Sequence, residues 1–306
     1  MMQKIILDTD IADDIDDAFA LNYILQNPDA FDLLGVVTTF KNPLERARIA
    51  KKILRLCGKE NVGVYVGSKN PLNATFHPFH YEKVDEKGII HLLSYKPELE
   101  GEKVELENGV DFIISTIKKY PHEVMLIGIG PLTNIAQAIL KDPSIKGLIK
   151  TIVVMGSFQF EGSCHQTKEW NVLVDPEASK VVYESGIPLR VVGGDITCLS
   201  TLTQEELDEV RSARNPSASY INEMLEEWMR ANNRMPVLHD CLPISSLVSD
   251  RYLKFKKVRV KIPLEKEARG TSVITFDSTS NTMMACGFNR DLFIKDFLTL
   301  YKKGSI

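Results

Sequence analysis

Short apolar runs rich in Val, Ile and Leu alternate with amphipathic stretches along most of this 306-residue chain, and that alternation constrains the fold more than any other feature. KIILDTD, LLGVVTT, GVYVG, EVMLIGIG, TIVVMG and PLRVVGG read as strands that are apolar on both faces. Helical spacing fills the gaps, over residues 16–26, 43–57, 109–119, 132–141 and 176–185. A strand buried on both faces needs helices above and below it. The expected fold is therefore α/β, a Rossmann-like open, mostly parallel sheet with helices on both faces. Helical patterns over 204–214 and 217–232 follow, then HDCLPISSLV and two late strands, KVRVKI and TSVITF. Without a repeat, a low-complexity tract or a linker, a single domain over 1–306 is expected.

Composition removes several function classes. Lys and Arg number 37 against 41 Asp and Glu, a net charge of −4, which argues against neutralising a nucleic-acid backbone through bulk charge. No apolar run approaches the roughly 20 residues that span a bilayer, and MMQKIILDTD lacks the apolar core and cleavage site of a signal peptide. The expected address is the cytoplasm, with neither nucleic acid nor membrane as partner. Cys57, Cys164, Cys198, Cys241 and Cys286 are odd in number, widely spaced and never in a CxxC pair, so reduced thiols are expected rather than a disulfide framework or a zinc site.

Ligands of such sheets sit beyond the carboxyl ends of the strands. Polar residues gather there: Asp8 and Asp10, Thr38 and Thr39, Asn134, Gly156 and Ser157, Asp195 and Thr197. Residues 71–101, with His77, Pro78, His80 and His91, read as an excursion over or beside that rim. The densest signal is DTDIADDIDD, with carboxylates at 8, 10, 13, 14, 16 and 17. Packed between a buried strand and a helix start, they repel one another unless a cation or protons intervene. An all-oxygen donor set points to Ca²⁺ or Mg²⁺ rather than zinc. Helix capping near Asp16 accounts for one or two of them, not six. An EF-hand is excluded, because Asp13 stands where its turn glycine belongs and no Glu closes the loop.

The segment ILDTD…DDAFAL resembles the DxDPGxDDAxAL signature of the inosine-uridine preferring nucleoside hydrolase family. LLGVVTTFKN is similar to that family's LLGITTVAGN, IGIGPLTNIAQA to its GPLTNIA turn, VVMGSFQFEGSCHQTKEWNVLVDPEAS to its MGG…EFNxxxDPEAA block, and LHDCL to its late VHD. The resemblance implies hydrolysis of the N-glycosidic bond of ribonucleosides, in nucleoside salvage, by a homodimer or homotetramer. It implies a Ca²⁺ held by Asp10, Asp17, the carbonyl of Ile129 and Asp240. Asp10 is then the base that deprotonates the metal-activated water, and His239 the acid that protonates the departing base. Asp16 contacts the ribose 2′-hydroxyl, Glu169 and Asn171 the other hydroxyls, and Asn42 and Ser163 also fall on the substrate side. Trp170 and Trp228 are candidates to wall the sugar or base.

Three departures accompany the resemblance. Two extra residues separate Asp10 from the DD pair, which makes Asp14 an alternative ligand in place of Asp16 or Asp17. Gly162-Ser163 replaces a Gly-Asn, and the family's histidine-glycine loop has only His91 to offer. Two other readings share parts of the pattern. A haloacid-dehalogenase-like phosphatase would use Asp8 as nucleophile and Asp10 as acid/base, and a non-catalytic ribose or nucleoside sensor would keep the metal without turnover.

Overall fold

In the computed structural model, which describes residues 2–12, 14–73, 82–84, 86, 90–158 and 168–303, one nine-stranded sheet runs through the molecule. Its strands come from a set of eleven: β1 (Gln3–Thr9), β2 (Phe31–Thr38), β3 (Gly63–Val66), β4 (Glu82–Val84), β5 (Ile90–Leu92), β6 (Met125–Gly128), β7 (Thr151–Met155), β8 (Leu189–Val192), β9 (Leu253–Lys261), β10 (Val273–Phe276) and β11 (Thr282–Phe288). The order is β10-β9-β11-β8-β7-β6-β1-β2-β3, while β4 and β5 pair separately. From β3 to β11 all neighbours are parallel, and β9 and β10 complete the edge antiparallel. This is the expected α/β architecture.

Burial on both faces follows from the alternation along each strand. Ile5 and Leu7 of β1 face one apolar cluster together with Ile127 and Val153, whereas Ile6 faces the other with Leu126 and Val154. Helices α1 (Asp16–Leu25) and α2 (Pro43–Leu56) cover the first face, and α3 (Gly109–Lys119), α4 (Thr133–Lys141) and, after the short α5 (Trp170–Val174), α6 (Pro176–Tyr183) cover the second. After a single turn at α7 (Gly194–Thr197), the chain returns to the first face with α8 (Gln204–Ser212), α9 (Pro216–Asn232), α10 (Cys241–Ser245) and α11 (Arg290–Tyr301). Every residue of α1 is buried. Its Phe19 packs edge-on against Phe297 (5.9 Å) and Tyr301 (5.4 Å) of α11, contacts that contribute about 0.5–1.5 kcal/mol each beyond area burial.

The strand order reverses at β1, whose neighbours are β2 on one side and β6 on the other. Such a reversal opens a crevice beyond the carboxyl ends of the strands. Asp8 of β1 pairs with Gly128 of β6, and the Ile129 amide donates to the Asp8 carbonyl at 3.0 Å, so the turns carrying Asp10 and Ile129 emerge side by side. Gly130 is required there, because a Cβ at that position would stand 2.5 Å from Asp10 Oδ1 and 2.8 Å from its amide nitrogen.

Two expectations need correction. Three late strands form, not two: β11 lies between β8 and β9, parallel to the first and antiparallel to the second. Cys198 is disulfide-bonded, with a partner outside the described residues, while Cys57, Cys241 and Cys286 are free. Pairing depends on which thiols the fold brings together, which spacing alone does not reveal. Cysteine usage therefore gives no argument for a reducing compartment. Among the described residues no helix is long and apolar enough to cross a membrane. His77, Pro78, His80 and Ser163 lie outside the described residues.

Candidate active site

Four carboxylates converge at the reversal point. Asp10 follows β1, Asp16 and Asp17 open α1, and Asp240 directly precedes α10; each is at most 4% exposed. Ligand atoms of Asp16, Asp17 and Asp240 lie within 4.8 Å of one another. Asp10 is near enough to raise the pKa of both Asp17 and Asp240. The first turn of a helix favours negative charge, which offsets part of this repulsion. None of the four serves as a helix cap: the residue before α1 is Ile15, which makes no side-chain cap bond, and Asp240 makes none for α10.

Hydrogen bonds orient the group. The Thr9 hydroxyl donates to Asp17 Oδ1, and the Asp240 amide donates to Asp16 Oδ2 at 3.1 Å. Asp14, which lies near enough to raise the pKa of Asp16, also engages a distant segment. Its Oδ2 pairs with Arg234 at 2.7 Å and its Oδ1 accepts from the Ile15 amide at 2.7 Å, while the Arg234 guanidinium covers the buried Trp228 ring at 5.1 Å.

The sugar-side candidates approach from β6 and β7. Asn171, in α5, donates to the carbonyls of Ile129 (3.0 Å) and Met155 (3.2 Å), which brings it to the edge of the acidic group. Glu169 precedes it as the α5 cap and accepts from the amides of Asn171 (2.9 Å), Val172 (3.0 Å) and Ser157 (3.2 Å). Trp170 is half-buried at the first position of α5. Asn42 is the residue before α2, following Phe40 and Lys41, whose φ angles are +68° and +54°. His239 Nδ1 lies 2.6 Å from the Thr197 hydroxyl of α7. His91 pairs with Glu45 of α2 at 2.5 Å.

Sequence reasoning missed Arg46. It is fully buried on α2 and its guanidinium bonds backbone carbonyls of the loops after β1 and β2. A signal was present, because Arg46 falls in register with Ile49, Ala50 and Ile53 on the apolar stripe of the helix.

Burial sets the charge states. It pushes Asp16 up to about 8, with Asp14 adding to the effect, and Asp8 and Glu169 up to about 7. Asp17 and Asp240 are pushed well above the usual carboxylate range by burial and by their acidic neighbours. Burial, then the Arg234 charge, lowers His239 to about 4, so its imidazole is neutral at pH 7. Raised carboxyls keep their protons in the folded state after the unfolded chain has lost them near 3.8 to 4.5. The folded state then binds more protons, and stability falls as pH rises. His239 acts in the opposite sense, but only below its ordinary value of 6.5. Thermal melts in EDTA are therefore expected to show a midpoint that falls between about pH 6.5 and 8. A midpoint that rises over that window would contradict these charge states.

The chain matches the model of the inosine-uridine preferring nucleoside hydrolase family over residues 5–295. It belongs to that family. The chain is 30% identical over 280 residues to a probable uridine nucleosidase 1 of Oryza sativa subsp. japonica, covering 89% of this chain and 84% of the relative. It is 30% identical over 296 residues to uridine nucleosidase 1 of Arabidopsis thaliana, covering 94% and 83%. Among solved structures, a purine-preferring ribonucleoside hydrolase from Gardnerella vaginalis superposes with a TM-score of 0.81 at 27% identity over 98% of both chains. A plant nucleoside hydrolase shares the fold at a TM-score of 0.84 and 20% identity, over 99% of this chain and 100% of that one. As a member, the nucleoside hydrolase described here is an N-glycosidase. The family is one of metal-dependent hydrolases, and among the described residues Asp16, Asp17 and Asp240 form an acidic cluster that could hold an ion.

Proposed function

We propose that this nucleoside hydrolase cleaves ribonucleosides, uridine among them, with one Ca²⁺ in the acidic group at the strand-order reversal. The convergence of Asp16, Asp17 and Asp240 within 4.8 Å, beside Asp10, carries this reading. The donor set fits such an ion: buried carboxylates plus a backbone carbonyl, no sulfur and no imidazole among them, with pKa values raised by burial and by a crowding that a divalent cation relieves. Asp10, Asp17, the Ile129 carbonyl and Asp240 would hold it. When bound, the cation supplies Lewis acidity, which lowers the pKa of a water and orients ribose hydroxyls. Uridine is named because the plant relatives are uridine nucleosidases.

The protein's own groups then divide the work. Asp10 takes the proton of the attacking water. Asp16 and Asn171 hold ribose hydroxyls, with Glu169 beside them and Asn42 and Trp170 completing the substrate wall. As the N-glycosidic bond lengthens, positive charge develops on the ribose ring, and the buried carboxylates stabilise it. His239 delivers the proton to the departing base from its imidazolium form, which burial makes scarce at pH 7 and strongly acidic once formed. With Nδ1–H donating to Thr197 Oγ1 (2.6 Å), whose own hydroxyl donates to the Gly194 carbonyl (3.4 Å), the imidazolium keeps its Nε2–H for the base.

One set of assays tests this reading. Wild type and His239→Ala are incubated with inosine, uridine and p-nitrophenyl riboside, each with and without EDTA. Release of base by the wild type is expected to stop in EDTA and return with Ca²⁺. His239→Ala is expected to slow the nucleosides by about 10²-fold or more and the p-nitrophenyl riboside far less, because that leaving group needs no proton. Full turnover in EDTA removes the metal, and equal losses on all substrates remove His239 from the acid role. Thermal protection by ribose without release of base would instead support a sensor.

A further inference from the structure

We propose that Arg46 is the positioning residue of the metal pocket: it clamps the loop carrying Asp10 to the loop carrying Asn42 and so sets the pocket before any cation enters. This rests on the reading of the acidic group as a metal site. Arg46 is wholly buried among the largest enclosed side chains of the protein. Its Nε donates to the Phe40 carbonyl at 3.0 Å, and its Nη1 to the carbonyls of Ile11, at 2.9 Å, and Asp10. One planar group thus ties the chain just after β1 to the chain just after β2.

The tied segments need tying. Ala12, Phe40 and Lys41 have φ of +72°, +68° and +54°, left-handed conformations that non-glycine residues adopt only at an energetic cost. The clamped carbonyls flank these residues: that of Ile11 precedes Ala12, and that of Phe40 lies between the two left-handed residues. Other backbone bonds help, one of them also joining the two segments. The Phe40 and Lys41 amides reach Ser68 and Lys69 at 2.7 Å, and the Thr39 amide reaches the Thr9 carbonyl at 3.0 Å. A leucine at position 46 would suit the apolar stripe of α2 without desolvating a charge. The guanidinium adds what leucine lacks: donors in a rigid fork, whose fixed spacing sets the separation of the loops. The fork distinguishes arginine from lysine.

The test compares wild type, Arg46→Lys and Arg46→Gln, each checked for a cooperative thermal transition. Ca²⁺ alone is titrated by calorimetry, and hydrogen exchange is followed at the amides of Ile11, Thr39, Phe40 and Lys41. Both variants are expected to bind Ca²⁺ at least tenfold more weakly and to exchange those amides at least tenfold faster, with most of kcat recovered at saturating Ca²⁺. If Arg46→Lys behaves as wild type while Arg46→Gln fails, only the charge matters and the clamp is overturned. Wild-type affinity and exchange in both variants overturn it as well. Should neither variant fold, wild type alone decides: those amides are expected to be equally slow with and without Ca²⁺, and tenfold faster exchange in the metal-free protein overturns a pre-set pocket. A wild type that binds no Ca²⁺ overturns the metal reading, while the exchange comparison between wild type and Arg46→Lys still tests the clamp.

Discussion

Asp10→Asn is expected to lower turnover of uridine by about 10²- to 10⁴-fold at saturating Ca²⁺, the range for loss of a general base, while the fold survives. Asparagine keeps the shape and an oxygen donor but cannot take a proton from water. The surroundings of Asp10 favour a clean result. Its carbonyl is held by Arg46, its side chain lies against Gly130 where no Cβ would fit, and it is almost fully buried. Turnover within tenfold of wild type, with an unchanged thermal midpoint, would remove Asp10 from the chemistry. Tighter binding of a ribose-like ligand by such a variant would not restore Asp10 to the role of base, because only the rate reports the proton transfer.

Asp240→Ala is expected to act on two observables in opposite directions. Ca²⁺ affinity falls on the order of 100-fold or more, because ligand charge count is the main determinant of such affinities. The metal-free protein at pH 8 melts at a higher temperature than wild type, because one member of a mutually repelling buried group has gone. The bond from residue 240 to Asp16 Oδ2 uses the backbone amide and survives the substitution. A variant that loses affinity and stability together would show that Asp240 chiefly holds α10 in place.

Much of this protein could be read before its structure. The six strands from KIILDTD to PLRVVGG all form, and α3 begins and ends where its apolar spacing places it, at Gly109 and Lys119. β11 escaped because TMMACGF has neither a β-branched run nor alternation, and pairing with β8 and β9 makes it a strand. The acidic group was legible because six carboxylates in ten residues demand an explanation wherever they fold. Its completion by Asp240 was not, since no local spacing relates two segments so far apart, and only the family resemblance joined them. Arg46 was passed over as one charge among many on α2, and the engagement of Asp14 with Arg234 depends on a segment 220 residues away.

The bond between Asp240 and Asp16 spans 224 residues of sequence. During synthesis the chain presents Asp10, Asp16 and Asp17 almost at once, and the fourth carboxylate only when more than three-quarters of the protein has been made. Until then the nascent chain holds three acids without the partner that completes their cage. Capture of the proposed ion would thus report that the segments around residues 10 and 240 have met.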